Sequence, residues 1–357
     1  MREKLLEGLV WFLERPSVTG EEKQLCDDLE ARINNSPGWH VERVSNNLAI
    51  RPAEPDPSRK RIVFAGHLDT VPEPTDGIEV RVVEDRIYGR GSSDMKAGDA
   101  VMLALLESFD WKDSWAEPVF VFYEREEGPY PENGMESVFA GSPWVLDAEL
   151  AVCLEPTAGA LEVGCVGTAQ VEVTFRGKSS HSARPWQGEN ALTAAGEFLT
   201  RLRDREAREV LVEGLTFYEV LTPTLAKGGR AKNVIPDEFW INVNHRFAPG
   251  MGMDDVRRTF EELVPDGASF EIADFAPSGP VHLENPLLKR LIDSGVEVRP
   301  KQAWTDVARF AGRGVDAANL GPGIPAQAHQ EEEFTELGLL ESCYSLLAEF
   351  LGDKAGK

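Results

Sequence analysis

Cysteine is scarce in this chain, and the cysteines present are too far apart in the sequence to suggest a joint role. Cys26, Cys153, Cys165 and Cys343 form no CxxC pair. Their spacing argues against both a disulfide framework and a thiolate zinc site. We therefore expect four buried thiols in a reducing, cytoplasmic environment.

Long hydrophobic runs are also missing. No uncharged apolar stretch reaches the length of about 18 residues that a membrane-spanning helix needs. The amino-terminal segment places Leu5, Leu9 and Phe12 at helical spacing, but charged residues interrupt it. This pattern predicts an amphipathic helix and not a secretory signal, so we expect no membrane association.

Positive charge is the third deficit. The chain has 37 Lys and Arg against 61 Asp and Glu, which gives a formal net charge of -24 at pH 7. Such a molecule repels phosphate backbones and anionic membranes at long range, so we expect no nucleic-acid partner. An anionic substrate would need a local reversal of charge, which bound metal ions or clustered Arg and Lys can provide.

The 357 residues exceed the usual span of one hydrophobic core. In the first half, nearly continuous apolar runs at 61–66, 118–123 and 149–154 are separated by helical stretches. This predicts an α/β fold, with a mixed, largely parallel sheet whose strands are buried by helices on both faces.

The texture changes near residue 167. From there the order is strand, helix, strand, strand, helix, strand, with the helices near 189–208 and 253–264. This order is typical of a ferredoxin-like α+β layout. After residue 279 the α/β pattern returns. We predict a discontinuous α/β domain comprising 1–166 and 280–357, with an inserted ferredoxin-like domain at 167–279.

Acids or histidines directly follow each of the three apolar strands of the first half. In open α/β sheets, ligands bind at the carboxyl ends of the strands. Three strand ends are therefore predicted to bring metal-binding side chains to one edge of the sheet. These side chains are His67 and Asp69, then Glu124, Glu126 and Glu127, then Glu155.

Two short motifs each allow two interpretations. In HLD, Asp69 can hydrogen-bond His67 while the imidazole binds a metal, or the two can form a structural ion pair. In GRGSSDMKAG, Asp94 can cap a helix or bridge two cations. A nucleotide-binding loop is disfavoured there because Asp94 replaces the third glycine of the fingerprint.

Three further acids and a histidine extend this set. If the side chains of Glu126 and Glu127 diverge, one can bind a metal while the other acts as a general base on a bound water; a solvated acidic loop is the alternative. Glu155 would be costly to bury without a partner. His329 lies in a Gly- and Pro-rich loop and is either a ligand or an ordinary loop histidine.

Two imidazoles and three carboxylates emerge as candidate ligands, and this donor set suits zinc. Two divalent cations with three carboxylates leave one net positive charge, which is enough to hold hydroxide and polarise a carbonyl. The candidate ligands are His67, Asp94, Glu127, Glu155 and His329.

Eight stretches in collinear order between residues 64 and 334 resemble the dinuclear-zinc aminoacylase and carboxypeptidase family. They are GHLDTVP, YGRGSSDMKAG, EREEG, LEPT, GKSSHSARPWQGENA, KNVIPDEFWINVNHRFAP, WTDVARF and AHQEEEF. The resemblance implies a zinc-peptidase fold with one zinc ion on His67, Asp94 and Glu155. It places a second on Asp94, Glu127 and His329, where cobalt or manganese can occupy the same ligands.

The resemblance also implies catalytic roles. Glu126 is the general base, Asp69 supports His67, and His181 reaches the oxyanion from the inserted domain of the other subunit, which implies a homodimer. Asn233, Arg246 and Thr305 are implied to contact a small N-acyl substrate rich in carboxylates, although Arg246 is equally consistent with a surface charge.

The activity implied is hydrolysis of an amide, with N-succinyl-LL-2,6-diaminopimelate as the leading substrate. Acetylornithine, other N-acyl amino acids and dipeptides are alternatives, and a non-catalytic metal-binding scaffold is a remote one. Cys165 and Val166 stand where many relatives that release succinate carry two arginines. Arg184 is our hypothesis for a compensating guanidinium.

Overall fold

The computed structural model describes residues 1–74 and 78–352. Its internal contacts divide the chain into two compact units. The first comprises Met1–Gly164, His282–Arg299 and Thr305–Lys357, and the second comprises Cys165–Val281 and Pro300–Trp304.

The first unit contains most of the helices and two sheets. Its helices are α1 Arg2–Leu13, α2 Lys23–Ile33, α3 Lys96–Ser108, α4 Met135–Gly141, α8 Pro286–Asp293, α9 Val307–Gly312 and α10 Leu337–Gly352. Its strands are β1 Trp39–Val44, β2 Asn47–Pro52, β3 Lys60–His67, β4 Arg81–Val83, β5 Arg86–Tyr88, β6 Ala116–Tyr123, β7 Leu150–Cys153, β8 Leu161–Val163, β14 Val298–Pro300, β15 Ala317–Asn319 and β16 Phe334–Glu336. The last residue of β14, Pro300, is grouped with the second unit.

The main sheet has eight strands in the order β1-β2-β6-β3-β7-β15-β8-β14. Its centre is parallel, because β3 pairs in parallel with β6 and β7, and β15 pairs in parallel with β7. Antiparallel strands flank this centre. His67 lies opposite Tyr123, and Ala65 lies opposite Cys153, so β3, β6 and β7 end at the same edge.

Two glycines allow α3 to lie close to these strand ends. A Cβ at Gly66 would come within 2.3 Å of Asp99 Oδ1, and one at Gly98 would come within 2.3 Å of the Leu154 carbonyl. Any larger residue would push the helix away from the sheet. The loop before α3, which contains Asp94, is thereby held at the edge where β3 and β7 end.

The second unit is built on one antiparallel sheet in the order β10-β11-β12-β9-β13. Its strands are β9 Gly167–Arg176, β10 Arg208–Val212, β11 Leu215–Gly228, β12 Glu238–Phe247 and β13 Ala268–Ala276, and its helices are α5 Ala191–Ala194, α6 Gly196–Arg203 and α7 Met253–Leu263. Val171, Phe198 and Phe260 belong to one buried cluster on the helix-covered face. Apart from β10, this is the ferredoxin-like order.

The fold class predicted from the sequence is confirmed: a mixed sheet with a parallel centre and packed helices accompanies a separate antiparallel α+β unit. The helix predicted at 189–208 is divided into α5 and α6. Within the described chain, no helix has both the length and the apolar character needed to cross a membrane.

Candidate metal centre

Seven of the predicted residues lie together in the first unit, at or beside the carboxyl edge of the parallel strands. His67 is the last residue of β3, Glu126 and Glu127 follow β6, and Glu155 follows β7. The full set is His67, Asp69, Asp94, Glu126, Glu127, Glu155 and His329.

The ring of His67 is buried and held through one nitrogen. Its Nδ1 lies 3.0 Å from the backbone carbonyl of Asp69 and 3.4 Å from Oδ1 of the same residue. Its Nε2 points the other way, to within 3.3 Å of Asp94 Oδ1 and 3.9 Å of Glu155 Oε1. Fixing Nδ1 in this way leaves Nε2 as the nitrogen that faces the other candidate ligands.

Asp69 does more than face the imidazole. Its Oδ1 accepts the backbone N–H of Glu126 at 2.9 Å, and its Oδ2 accepts the N–H of Glu127 at 3.1 Å. The hydroxyl of Thr19 donates to Oδ2 at 2.9 Å. This buried carboxylate therefore holds the His67 segment, the Glu126–Glu127 turn and the amino-terminal segment together.

Asp94 faces both histidines. Its Oδ1 lies 3.3 Å from His67 Nε2, and its Oδ2 lies 3.6 Å from His329 Nε2. The helix-capping alternative for Asp94 is wrong, because α3 begins at Lys96 and its N-cap position is occupied by Met95. The two carboxylate oxygens are instead directed into the site.

Glu126 and Glu127 lie in a turn. Arg125, with φ of +61°, turns the chain just after β6. Glu127 Oε1 reaches His329 Nε2 at 2.8 Å, while Glu124 points elsewhere and accepts hydrogen bonds from Asn46.

Three overlapping groups have ligand atoms within 4.8 Å of one another and could hold a metal ion. They are His67 with Asp94 and Glu155, Asp94 with Glu127 and His329, and His67 with Glu126 and Glu127. Imidazole nitrogens and carboxylate oxygens are donors that zinc and related divalent ions accept, so the residues present fit such a centre.

The charges in this cluster favour cations. Burial lowers the pKa of His67, but hydrogen bonds with Asp69 and Asp94 outweigh it, so the net pKa lies well above the ordinary value. The hydrogen bond with Glu127 raises the pKa of His329. Burial raises the pKa of Glu126 well above its usual range, although His67 opposes this. Bound metal ions would take the place of protons at these ligands.

The second unit contains four of the predicted residues, and three of them lie close together there. His181 forms a β-bridge with Val234, and Ser182 donates its N–H to the Asn233 carbonyl at 3.0 Å. The N–H of Ala183 donates to His181 Nδ1 at 3.0 Å. His181 and Arg184 are exposed, and the Arg184 N–H bonds the carbonyl of His181.

Arg246 and Thr305 have different surroundings. Arg246, on β12 in the second unit, donates from Nε to Asn244 Oδ1 at 3.0 Å and is partly buried. Thr305, in the first unit, is 2% exposed. Cys165 and Val166 are fully buried, so this position presents no charge.

Sequence reasoning assigned no role to three residues that support the site. Thr19 bonds Asp69, Glu333 bonds the loop before Asp94, and Asp306 bonds the Tyr123 hydroxyl at 2.7 Å. The sequence offered one indication of the role of Asp306, which is its position beside Thr305 in WTDVARF. The buried Glu333 follows two exposed glutamates in an acidic run, and nothing in the run distinguishes it.

Comparison with known proteins supports the resemblance. The succinyl-diaminopimelate desuccinylase of Corynebacterium glutamicum is 36% identical over 350 residues, covering 95% of this chain and 93% of that protein. The acetylornithine deacetylase of Myxococcus xanthus is 28% identical over 353 residues, covering 94% and 88%.

Solved structures share the fold. Aminopeptidase PepT of Bacillus cereus superposes with a TM-score of 0.78 at 20% identity, covering 99% of this chain and 98% of that one. The YXEP protein of Bacillus subtilis, described as a dinuclear metal binding peptidase, superposes with a TM-score of 0.69 at 14% identity, covering 98% and 97%. The sequence pattern of Peptidase family M20/M25/M40 matches residues 63–353, and the chain therefore belongs to that family.

Proposed function

We propose that this chain is a dinuclear zinc amidohydrolase that converts N-succinyl-LL-2,6-diaminopimelate and water to succinate and LL-diaminopimelate, a step of lysine biosynthesis. The name and the 36% identity of the Corynebacterium glutamicum relative support this substrate. Acetylornithine is the second candidate, supported by the more distant Myxococcus xanthus relative.

The arrangement of Asp94 is the observation that carries the proposal. One carboxylate oxygen faces His67 and the other faces His329, at 3.3 and 3.6 Å from their Nε2 atoms. A carboxylate placed between two imidazoles in this way suits a bridge between two cations. His67, Asp94 and Glu155 would hold one zinc ion, and Asp94, Glu127 and His329 would hold the other.

Bound zinc would supply Lewis acidity and lower the pKa of water. Glu126 acts as the general base: it takes a proton from the attacking water and returns it to the departing amine nitrogen. Asp69 keeps Glu126 in place through the backbone N–H and keeps the His67 ring oriented. The water supplies one oxygen to the new carboxylate and both of its protons to the departing nitrogen, so the products are a carboxylate and an ammonium group, and atoms and charge balance without a further reactant.

Replacing Glu126 by Gln tests the role of the base. The glutamine side chain fits the space of Glu126 but cannot accept the proton from water. We therefore expect kcat to fall by about two to four orders of magnitude while two zinc equivalents still bind. Zinc content by mass spectrometry and kcat by amine release are the measurements. Near-normal turnover in Glu126→Gln would refute the assignment.

We also propose a homodimer in which His181 stabilises the oxyanion across the interface. Mixing two inactive variants, His181→Ala and Glu126→Gln, would restore activity, because in a mixed dimer one site combines the intact Glu126 with an intact His181. Each variant alone is the control. Mass spectrometry shows whether the two variants have exchanged subunits. If they have exchanged and the mixture still lacks turnover, a site completed by His181 of the other subunit is ruled out.

The substrate carboxylates are proposed to contact Asn233, Arg246 and Thr305. Because Cys165 and Val166 are buried and uncharged, Arg184 is proposed to supply the additional guanidinium. Arg184→Ala should raise KM for the succinylated substrate about tenfold or more, with little change for acetylornithine. The exposed Arg203→Ala is the matched control.

One substrate comparison tests the function directly. Zinc-loaded protein is assayed on N-succinyl-LL-2,6-diaminopimelate, acetylornithine and a few dipeptides, with Glu126→Gln as the blank for contaminating hydrolases. We expect kcat/KM to be highest for the succinylated substrate. A higher kcat/KM for acetylornithine or a dipeptide would overturn the substrate assignment and leave the family unchanged.

A further inference from the structure

Three consecutive glutamates follow His329, and their environments differ. Glu331 and Glu332 are exposed, whereas Glu333 is 1% exposed. A buried carboxylate is costly unless several donors surround it. The burial of one member of an otherwise solvated acidic run therefore needs a structural account.

Four donors surround Glu333. Its Oε2 accepts Arg90 Nη1 at 2.7 Å and the backbone N–H of Gly91 at 3.0 Å. Its Oε1 accepts the backbone N–H groups of Ser93 at 2.9 Å and Asp94 at 3.1 Å. Both carboxylate oxygens are thus used, and three of the four partners are amides of the loop that ends at Asp94.

The loop is shaped for this contact. Gly91 has φ of +82°, in the left-handed region that favours glycine, and a Cβ there would lie 2.7 Å from Thr70 Cγ2. Converging backbone amides of this kind form a concavity that binds anions. Here the carboxylate of Glu333 occupies that concavity.

We infer that Glu333 is a positioning residue that sets the orientation of Asp94 and, through the short segment that joins it to His329, the placement of that histidine. We call the contact of Glu333 with Arg90 and with the backbone amides of Gly91, Ser93 and Asp94 the clamp. Asp94 belongs to both proposed zinc sites, so loss of the clamp weakens zinc binding at both. The inference rests on the proposed metal centre but not on which amide is hydrolysed.

The test uses cobalt as the probe and compares Glu333→Gln with Glu331→Gln. A glutamine keeps the size of Glu333 but replaces one acceptor oxygen by an NH2 group. That NH2 group then faces an N–H donor, and the hydrogen bond at this position is lost. We expect Glu333→Gln to bind Co²⁺ about 10- to 100-fold more weakly, the usual effect of removing a group that orients metal ligands. Glu331→Gln removes the same charge from the same run and should match the wild type.

The visible spectrum of bound Co²⁺ is the second readout, because it reports ligand geometry, which a general loss of stability leaves unaltered. Wild-type affinity and an unchanged spectrum in Glu333→Gln would overturn the inference. A wild-type chain that binds no Co²⁺ would refute the metal centre and this inference together. Weak Co²⁺ binding by Glu333→Gln, in a protein that prefers a different amide substrate, would support the clamp and refute only the substrate.

Hydrogen exchange keeps the inference testable if Glu333→Gln fails to fold. In the metal-free wild-type protein, the amides of Gly91, Ser93 and Asp94 should exchange slowly because each donates to Glu333. Exchange of these amides at the rate of an open loop would contradict the clamp.

Discussion

Asp69 accepts the backbone N–H of Glu126 at 2.9 Å, so the carboxylate behind His67 also holds the peptide of the proposed base. The same carboxylate accepts the N–H of Glu127 and the hydroxyl of Thr19. The nearest contact of His67 Nδ1 is the Asp69 carbonyl at 3.0 Å, not the carboxylate at 3.4 Å. Orientation of the imidazole is therefore shared between the backbone and the side chain.

Asp69→Asn should lower kcat by about 10- to 100-fold with zinc content retained, because one acceptor oxygen becomes a donor that opposes a backbone N–H. Thr19→Val removes only one of the donors to Asp69 and should cause a smaller loss. Steady-state kinetics and metal analysis are the measurements. A kcat for Asp69→Asn equal to that of the wild type would contradict this role.

Metal removal should occur in two phases. The His67 side chain is 1% exposed and that of His329 is 50% exposed, so a chelator reaches the ligands around His329 first. Residual zinc measured during dialysis against a chelator should fall first to one equivalent. His329→Ala should contain one zinc equivalent before any chelator is added. Its zinc content is compared with that of His67→Ala. Loss of both ions in a single phase would contradict the difference in accessibility.

Asp306 should be important for stability. It accepts the Tyr123 hydroxyl at 2.7 Å, lies 2.7 Å from Arg309 Nε, and bonds Asn133 at 3.0 Å, all at buried positions. Asp306→Ala should lower the free energy of unfolding in urea by about 3 to 5 kcal/mol, as expected when one partner of a buried ion pair is removed.

The exposed pair of Arg203 and Asp204 provides the control for Asp306. Asp204→Ala should leave the free energy of unfolding almost unchanged, because solvent screens such a pair. Equal effects of Asp306→Ala and Asp204→Ala would show that the buried network contributes little.

His245 should make stability depend on pH. It is 2% exposed on β12, near the rings of Phe247 and Phe260. Burial, reinforced by Arg205 and Arg208, lowers its pKa from 6.5 to about 4. Between these values the unfolded chain binds a proton that the folded chain does not, so the stability contributed is present above pH 6.5 and lost as the pH falls towards 4.

The loss amounts to about 3 kcal/mol over that range. His245→Phe removes the titrating group, so its free energy of unfolding in urea should fall less than that of the wild type between pH 7 and pH 4.5. The exposed His40→Gln is the control and should follow the wild type. The same pH dependence in His245→Phe and the wild type would contradict this assignment.

The sequence predicted most of the fold because its apolar runs and their order carry the information. Runs at 61–66, 118–123 and 149–154 correspond to β3, β6 and β7, and parallel pairing brings their ends to one edge. The order of strands and helices after residue 167 likewise matches the ferredoxin-like unit. Periodicity did not reveal the division of the predicted helix at 189–208 into α5 and α6.

The site was less predictable where conformation depends on distant contacts. The positive φ of Arg125 and the N–H groups that Glu126 and Glu127 donate to Asp69 produce the turn at these two glutamates, and the sequence shows neither feature. The roles assigned to His181, Asn233, Arg246 and Thr305 come from family resemblance, the role of Arg184 is our own hypothesis, and all of them stay predictions.

By itself, the sequence determined which side chains are available for metal chemistry and which strands deliver them, since both follow from residue type and position relative to apolar runs. Only the tertiary structure decided which carboxylates hold the site together. Asp69 and Glu333 accept hydrogen bonds from backbone amides that are distant in the chain, and every residue except proline has such an amide. No sequence pattern marks the few amides that fold towards a particular acid.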